Sequence, residues 1–324
     1  MKPDYSIVIP ARNEEARLPS GLKRLRPFME WDNTEIVFVD DGSVDATFDI
    51  ATEILCDLPF VTLVRSRTHR GKGAAVREGM LRATGSFAAF VDADMATDPR
   101  LLNELFSSLR TCEVAIGSRS LRESTVHSHS ARRVFLGRTL NAIVRATTHI
   151  RVRDTQCGFK AFRTPLARLL FSLSRVDGFA FDIEILNLSS LLQLSVAELP
   201  VEWTDLPGGT VSLLREPIRI IKDMGRARSS WTSAQPIPAI SISQRSDPVL
   251  LCDALGLDGA MILALPRGSL LLAPSSSAEE RSALASRARS ACRDCEVTTS
   301  EVTVSSLIEH AGSLVSVLPD RFRS

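Results

Sequence analysis

Four short apolar runs decide the fold of this chain: YSIVIPAR at residues 5–12, EIVFV at 35–39, FVTLVR at 60–65 and FAAFV at 87–91. Each run is rich in β-branched or aromatic side chains, which is typical of strands buried in a sheet. Longer stretches with helical spacing of their apolar residues separate the runs. Strands that alternate with helices predict right-handed βαβ units and an α/β fold, with a mostly parallel sheet flanked by helices.

The same patterns predict the remaining elements up to residue 228. Helices are expected over 14–29, 45–55, 71–83, 131–147 and 215–228, and further strands over Val114–Ser118 and Val196–Trp203. Polar clusters follow the ends of the early strands. Because ligands of parallel sheets bind beyond the carboxyl ends of the strands, we expect the functional site at that edge.

Shifts in composition divide the chain into three parts. Residues 1–228 hold the strand–helix alternation, and residues 229–247, rich in Ser, Pro and Gln, predict a linker. Residues 248–324 contain no Lys and predict a small α/β module. Its expected strands and helix lie at 257–265, 269–273, 296–304 and 278–292. Packing or oligomerisation is the expected role of this module, and a ligand-sensing domain is the alternative.

Composition and charge exclude several classes of protein. Hydrophobic residues make up 44% of the 324 residues and charged residues 24%, which excludes a disordered or fibrous chain. Lys and Arg total 39 against 38 Asp and Glu, so no overall positive field attracts nucleic acid. The six Cys are scattered, the N-terminus does not resemble a signal peptide, and no membrane-spanning apolar run occurs. We therefore expect a cytoplasmic location.

Asp92 and Asp94 carry the strongest chemical signal. They follow the strand at 87–91 as Asp-Ala-Asp, so both carboxylates can lie on one side of the strand end. Mg²⁺ and Mn²⁺ prefer carboxylates of this kind together with substrate phosphates. A solvated turn is the alternative interpretation, but the preceding strand–helix units favour a metal site with Asp92 and Asp94 as ligands.

Three further polar clusters follow the earlier strands. Asp40 and Asp41 offer acceptors for a base N–H or ribose hydroxyls, or a cap for the next helix, and Asn13 and Glu14 are similarly available to a nucleoside. Lys72 lies at the start of the helix predicted over 71–83, where it and the backbone N–H groups of the helix start would meet a diphosphate. Neither GxxxxGK[ST] nor GxGxxG occurs, which argues against a P-loop and against a dinucleotide cofactor.

Arginine dominates residues 117–153, which hold eight Arg and no Lys against one acid, Glu123. The functional interpretation is a phosphate clamp that includes Arg119, Arg132 and Arg133, beside an interfacial helix near anionic lipid. A surface helix with solvated arginines is the alternative. Nucleic acid is not expected as a partner, because the stretch has few aromatic residues for stacking.

Eight motifs occur in an order that resembles the family-2 glycosyltransferases of the GT-A fold: PARNEE, VDDGS, GKGAAVREGM, DADMATDP, IGSR, RDTQCGFKAF, GFAFDIEIL and ELPVEW. The sequence is most similar to the dolichyl-phosphate β-glucosyltransferase branch, with the polyprenyl-phosphate mannose synthases as cousins. The combination of RDTQCGFK at 153–160 with GFAFD is specific to that branch. The resemblance covers roughly residues 4–228 and implies a GT-A (Rossmann-like) sheet.

The resemblance implies a nucleotide-sugar donor, with UDP-glucose favoured over GDP-mannose, bound with Mg²⁺ or Mn²⁺. Pro10, Glu14 and Asp41 are implied to hold the nucleoside, and Lys72 and Gly73 to lie near the base and ribose. The full set of candidate donor-binding residues is Pro10, Arg12, Asn13, Glu14, Asp40, Asp41, Lys72, Gly73, Asp92, Ala93 and Asp94. Arg12 stands where the family usually has an aromatic residue.

The acceptor implied by the resemblance is a polyprenyl (dolichyl-type) phosphate. Arg119 and Arg133 would face its phosphate, with Arg132 beside them, and Asp92, Asp94 and Arg119 are the expected catalytic residues. Because a phosphate monoester arrives largely ionised, no general base is required, and transfer with inversion is expected.

Two other functions are compatible with the sequence. The first is a family-2 glycosyltransferase acting on a soluble hydroxyl acceptor, for which Asp182 or Asp154 would be the first candidates for a general base. The second is a non-catalytic nucleotide-sugar-binding regulator. For the favoured function we expect a peripheral protein at the inner face of the membrane, and a homo-oligomer is compatible with the C-terminal module.

Overall fold

The computed structural model describes residues 3–29, 33–127 and 151–206, a few positions between 141 and 150, positions 220 and 223, and the elements of residues 236–316 named below. Arg132 and Arg133 lie outside the described residues. The helices predicted over 131–147 and 215–228 fall mostly outside them as well. In what the structure describes, no helix has both the length and the apolar character that crossing a bilayer requires.

The main sheet has seven strands and is mostly parallel, as predicted. The strands up to residue 206 are β1 Tyr5–Ala11, β2 Thr34–Asp40, β3 Val61–Arg65, β4 Phe87–Val91, β5 Val114–Ser118, β6 Thr125–His127, β7 Phe159–Arg163, β8 Val196–Pro200 and β9 Glu202–Thr204. The sheet order is β3-β2-β1-β4-β7-β5-β8, and β7 runs antiparallel to both of its neighbours. β6 and β9 form a separate parallel pair.

Helices cover both faces of this sheet. They are α1 Leu18–Met29, α2 Thr47–Leu55, α3 Lys72–Arg82, α4 Leu102–Ser108, α5 Thr164–Leu173 and α6 Phe181–Leu191. Alternate residues of each strand point to opposite faces, so Ile7 and Ile9 pack with α1, α2 and α4, while Val8 packs with α3, α5 and α6. Burial on both faces explains why the early strands are continuous apolar runs.

Three of the predictions for this part need correction. The strand predicted over 196–203 is two strands, because the chain leaves the main sheet after Pro200 and β9 pairs with β6 instead. The helix predicted from residue 14 begins at Leu18, after a turn. β7 was not predicted, since Lys160 and Arg163 interrupt the apolar pattern of a strand that is nevertheless buried throughout.

The C-terminal part contains a second, five-stranded antiparallel sheet. Its elements are β10 Pro236–Ile242, β11 Met261–Leu265, β12 Gly268–Leu272, α7 Ala278–Ala291, β13 Val297–Thr303 and β14 Leu314–Ser316. β10 corrects the predicted linker, 229–247, since residues 236–242 pair with β12 and β13. Its prolines suggested a linker, but Pro236 opens the strand and Pro238 precedes the segment paired on both sides. The division into domains stays a prediction.

Candidate active site

The candidate site lies at the carboxyl edge of the main sheet, where β1, β2 and β4 end side by side. The turn after β4 carries Asp92, Ala93 and Asp94, and α1 supports it from one side. A side chain at Gly21 of α1 would overlap the Ala93 carbonyl, since an added Cβ would lie 2.2 Å from that oxygen. Arg24 of α1 donates to the carbonyl oxygen of Met95 at 2.7 Å. The turn therefore has little freedom to move relative to the sheet.

Each aspartate of this turn contacts a cationic side chain. Lys72, the first residue of α3, places its Nζ 2.5 Å from Asp92 Oδ1. Arg17 places its Nη1 3.1 Å from Asp94 Oδ2, and the backbone N–H of Ala96 donates to Asp94 Oδ1 at 3.1 Å. The side chains of Asp92 and Asp94 are 34% and 20% exposed, so both carboxylates remain within reach of a ligand.

The electrostatics of the turn are those of crowded carboxylates. Burial raises the pKa of Asp94 above its usual range, and the negative charge of Asp92 raises it further. Burial acts to lower the pKa of the Lys72 ammonium, but the carboxylates of Asp92 and Asp182 outweigh it and the pKa is raised. Added positive charge would therefore stabilise the ionised form of the aspartate pair.

The donor set fits a divalent cation that shares its ligands with a substrate. Among the residues that the structure describes, no group of three His, Cys, Asp or Glu side chains could hold a metal alone. Asp92 and Asp94 offer hard oxygen ligands, and Mg²⁺ in particular is commonly held by one or two carboxylates plus substrate phosphates. The predicted ligand pair is thus present in the form that this chemistry needs.

Glu14 lies beside the aspartates and has a free oxygen. Its Oε1 accepts from Arg17 Nη2 at 2.5 Å, so Arg17 bridges Glu14 and Asp94. The other oxygen, Oε2, is buried and has no hydrogen-bond partner among the residues that the structure describes. Burial raises the pKa of Glu14. Because a buried acceptor without a partner is costly, this oxygen is suited to receive a hydroxyl or N–H of a bound ligand.

Two of the predicted residues at the ends of β1 and β2 accept hydrogen bonds from backbone N–H groups of the adjoining turns. Asp40 is fully buried and accepts from the backbone N–H of Ser43 at 3.2 Å, which closes the turn after β2; it does not cap α2, whose N-cap residue is Ala46. Asn13 has a positive φ of 51° and accepts from the N–H of Val44 at 3.0 Å, which joins the two turns. Pro10 is buried in β1, whereas Arg12 lies exposed on the surface.

Asp41 anchors the loop that leads to Lys72. Its two carboxylate oxygens accept from the backbone N–H groups of Arg70 and Gly71, both at 2.8 Å, and Nδ1 of His69 lies 2.7 Å from Oδ2. Gly71 has a φ of +124° and leaves no room for a side chain against the carbonyl of Asp177. Asp41 therefore fixes the direction in which α3 begins and, with it, the position of Lys72.

Arg119 lies beyond β5, with its guanidinium held in place. Its Nε and Nη2 donate to the two oxygens of Asp154 at 2.7 and 3.0 Å, and the guanidinium carbon lies 5.6 Å from the centre of the Trp203 ring. Burial acts to raise the pKa of Asp154, but Arg119 outweighs it and the pKa falls to about 2. The arginine side chain is 29% exposed, so part of it remains open to solvent.

The two carboxylates considered as general bases are both buried in ion pairs. Asp154 is 1% exposed and pairs with Arg119, and Asp182 is 3% exposed with Lys160 Nζ 2.5 Å from its Oδ1. Glu184, which follows Asp182 on α6, accepts from the N–H groups of Arg175 and Val176 at 3.0 Å and so holds a loop. Neither aspartate is free to take a proton from a hydroxyl in this arrangement.

Sequence reasoning missed four residues that complete the site: Arg17, His69, Lys160 and Trp203. Only Arg17 carried a local signal, since it follows Glu14 by three residues, which is a spacing that pairs side chains on a helical turn. The others reach partners far along the chain, as Lys160 reaches Asp182, so their roles depend on the tertiary fold.

The chain is similar in sequence to known glycosyltransferases. The model of the family described as glycosyl transferase family 2 matches residues 6–171. A dolichyl-phosphate β-glucosyltransferase of Dictyostelium discoideum is 33% identical over 239 residues, which cover 69% of this chain and 73% of that protein. The enzyme of the same name from Drosophila melanogaster is 36% identical over 226 residues, which cover 64% and 69%.

A solved structure has a similar fold. Glucosyl-3-phosphoglycerate synthase of Mycobacterium tuberculosis, in complex with UDP, superposes with a TM-score of 0.54 at 19% identity, covering 73% of this chain and 84% of that one. Another crystal of that enzyme contains Mn²⁺, UDP-glucose and phosphoglyceric acid. This likeness extends to the arrangement of the sheet and its helices, which is that of the GT-A fold.

Proposed function

This chain belongs to glycosyl transferase family 2, and from that premise we propose that it transfers glucose from UDP-glucose to a polyprenyl phosphate of the dolichyl type, with inversion at the anomeric carbon. It is a glycosyltransferase by its family and by the enzymes to which it is similar. The choice of glucose and of a dolichyl-type acceptor is supported by the names of those relatives.

The observation that carries the proposal is the aspartate pair, Asp92 and Asp94, placed at the carboxyl edge between Lys72 and Arg17. A nucleoside diphosphate that leaves the sugar develops negative charge, and the cationic side chains of Lys72 and Arg17 at this edge would stabilise it. A divalent cation, Mg²⁺ or Mn²⁺, would be held by Asp92 and Asp94 and would stabilise the leaving diphosphate. The Mn²⁺ and UDP-glucose in the structure of the mycobacterial enzyme support that assignment.

Two more residues at the same edge would contribute to donor binding, Glu14 directly and Asp41 indirectly. The unpartnered Oε2 of Glu14 would accept from the nucleoside part of the donor. Asp41 acts through the loop at 69–71, since both of its oxygens are occupied by that loop, and thereby orients Lys72 toward the diphosphate.

The acceptor end of the site is assigned to Arg119. Its guanidinium is fixed by Asp154 and by the Trp203 ring, so little conformational freedom is lost when it binds a phosphate. The acceptor oxygen is already anionic and needs no base, which agrees with the burial of Asp154 and Asp182 in ion pairs. A soluble hydroxyl acceptor would require a base, and the two candidates for that role, Asp154 and Asp182, are both buried.

The test is a transfer assay with UDP-glucose and GDP-mannose offered separately, with polyprenyl phosphate and Mn²⁺. A lipid-extractable glucose product formed only from UDP-glucose is expected, and its anomeric configuration identifies inversion. If no lipid product forms and glucose is transferred to a soluble glycoside, the acceptor is a hydroxyl and not a lipid phosphate.

Peripheral attachment to the inner face of the membrane is part of the same proposal, because the apolar chain of a polyprenyl phosphate would hold the acceptor in a bilayer. In the segment after Arg119, Arg122 and Val126 are exposed, as is Glu123 between them, so the described surface offers positive and apolar groups together with one acid. Binding to phosphatidylglycerol vesicles should weaken as salt is added, since salt screens exposed charges. If the protein binds phosphatidylcholine vesicles equally well, or binds neither kind of vesicle, the proposed electrostatic contact with the membrane is wrong.

A further inference from the structure

Asp92 directly follows β4, and Lys160 lies on β7, the neighbouring antiparallel strand. In the antiparallel pairing of β4 with β7, Phe90 lies opposite Lys160 and Val91 opposite Phe159. One step further, the same register places Asp92 beside Gly158. Because side chains alternate along a strand, Phe90, Asp92 and Lys160 belong to one face of the sheet.

Lys160 is fully buried, and its ammonium has three separate neighbours. Its Nζ lies 2.5 Å from Asp182 Oδ1, donates to the carbonyl oxygen of Cys157 at 2.6 Å, and lies 5.5 Å from the centre of the Phe90 ring. The bond to Cys157 ties the turn that precedes β7 to the side chain of a residue within β7. Lys160 therefore fixes the backbone around Gly158.

Gly158 forms a wall against the Asp92 carboxylate. A Cβ added to Gly158 would lie 2.1 Å from Asp92 Oδ2 and 2.5 Å from Oδ1, so the carboxylate occupies the space where a side chain would be. On its other side, Asp92 Oδ1 contacts Lys72 Nζ. The direction of the carboxylate thus depends on where the Cys157–Gly158 turn is held.

We infer that Lys160 is a positioning residue for Asp92: by holding the Cys157–Gly158 turn against the carboxylate, it sets the direction in which Asp92 meets a metal-bound donor. The inference rests on the proposed donor site and deepens it. Asp182 serves as the counter-ion of Lys160, which explains why a carboxylate is buried at the start of α6 without access to substrate.

Stability alone is a weak reason for this ion pair. A buried ion pair is often no more stabilising than apolar residues of similar volume, because both charges lose their hydration. Residues that orient a metal ligand, in contrast, typically change metal affinity or activity by about 10–100-fold when they are substituted. A positioning role therefore predicts an effect on metal-dependent binding that is separable from the effect on unfolding.

The experiment compares UDP binding with and without Mn²⁺ by isothermal titration calorimetry, and thermal unfolding of the same samples. The first variant is the double substitution Lys160→Met with Asp182→Val, which removes both charges together. The second is Gly158→Ala, which moves Asp92 without touching the ion pair. In both, the gain in UDP affinity that Mn²⁺ provides, taken as the ratio of the affinities with and without Mn²⁺ for the same variant, should fall by at least about tenfold.

Arg163→Met is the matched control. Arg163 is the last residue of β7, at the opposite end of the strand from the site, and its Nε donates to the carbonyl oxygen of Leu109 at 3.0 Å. This variant should lower the unfolding temperature and keep the Mn²⁺-dependent gain. A wild-type Mn²⁺-dependent gain in Lys160→Met with Asp182→Val would overturn the positioning role alone, and a wild-type gain in Gly158→Ala would show that this turn does not set the direction of Asp92. A wild-type protein whose UDP binding ignores Mn²⁺ would remove the proposed donor site, and the inference with it.

Discussion

The ion pairs around the site form two groups that use the same residue types in different surroundings. In the first group, Lys72–Asp92 and Arg17–Asp94, all four side chains are between 17% and 34% exposed. In the second, the Lys160–Asp182 pair is buried, with exposures of 0% and 4%, and Asp154 is 1% exposed beneath Arg119. The first group can exchange its partners for a ligand, whereas the second cannot do so without a large desolvation cost.

This difference separates chemistry from positioning. The exposed pairs place charged groups at the edge of the sheet, where a ligand can reach them. Substituting their members should therefore lower turnover more than stability. The buried pairs hold backbone, since Lys160 binds the Cys157 carbonyl and Asp154 accepts the N–H groups of Arg119 and Gln156. Loss of one partner should therefore lower the unfolding temperature, because the other charge is left buried without its counter-ion.

The largest effect should come from Asp94→Asn. The substitution keeps the shape of the side chain but removes the charge that would hold the metal and face the diphosphate. We expect transfer to fall by about 100-fold or more, as when a preorganised electrostatic group is lost from an active site. The measurement is glucosyl transfer to polyprenyl phosphate with added Mg²⁺ or Mn²⁺, beside thermal unfolding of the same protein, which should change little. Retained turnover would remove Asp94 from the exposed, chemical group.

Asp154→Ala should have its main effect on stability. It leaves Arg119 without its bidentate partner and two backbone N–H groups without an acceptor. We expect a loss of about 3 kcal/mol in the free energy of unfolding, hence roughly 6–12 °C in the unfolding temperature. Asp57→Ala is the control, because the Arg26–Asp57 pair is exposed and its loss should leave the unfolding temperature unchanged. Equal values for the two variants would erase the distinction between buried and exposed pairs.

The dependence of stability on pH should differ in sign between the two groups. The pKa of Asp154 is about 2 in the folded protein and about 3.9 in an unfolded chain, so its ionisation stabilises the fold above about pH 4, and this stabilisation is lost as the pH falls toward 2. The pKa of Asp94 is raised on folding, so its ionisation opposes folding at neutral pH, and the penalty disappears in acid.

Unfolding temperatures from pH 3 to pH 7 in metal-free buffer test this contrast. Relative to wild type, Asp154→Asn should be destabilised at pH 7 and progressively less so in acid. Asp94→Asn should equal or exceed wild type at pH 7 and converge with it in acid. Parallel pH profiles for the two variants would show that the two carboxylates share one environment.

Sequence patterns predicted the parts of the fold that depend on neighbours along the chain. The apolar runs at 35–39 and 87–91 lie within β2 and β4, and Asp92 and Asp94 lie together at the end of β4 as expected. β7 escaped prediction because burial of Lys160 and Arg163 depends on partners elsewhere in the fold, Asp182 and the carbonyl oxygen of Leu109. A charged residue in a short run normally argues for the surface, and only the tertiary partner reverses that argument.

The site was predicted to the same extent and for the same reason. Residues that end strands could be placed at one edge from topology alone, which located Lys72 and the aspartates. The pairing of Arg17 with Asp94 spans 77 positions in sequence, so no local pattern could indicate it. Asp182 shows most clearly what the sequence could not predict. Its motif made it a candidate site residue, but only the structure reveals that its carboxylate is paired with Lys160.

Asp182→Asn should have the smallest effect and is the sharpest test of the acceptor. An asparagine keeps an oxygen that accepts from Lys160 Nζ, so the Cys157–Gly158 turn should stay in place and kcat for transfer to polyprenyl phosphate should remain within a few-fold of wild type. The protein should lose some stability because the ammonium of Lys160 loses its counter-ion. If kcat collapses while Mn²⁺-dependent UDP binding is kept, Asp182 is a base and the acceptor is a hydroxyl. If kcat and that binding fall together, the damage has passed through Lys160, and Asp182 belongs with the residues that position Asp92.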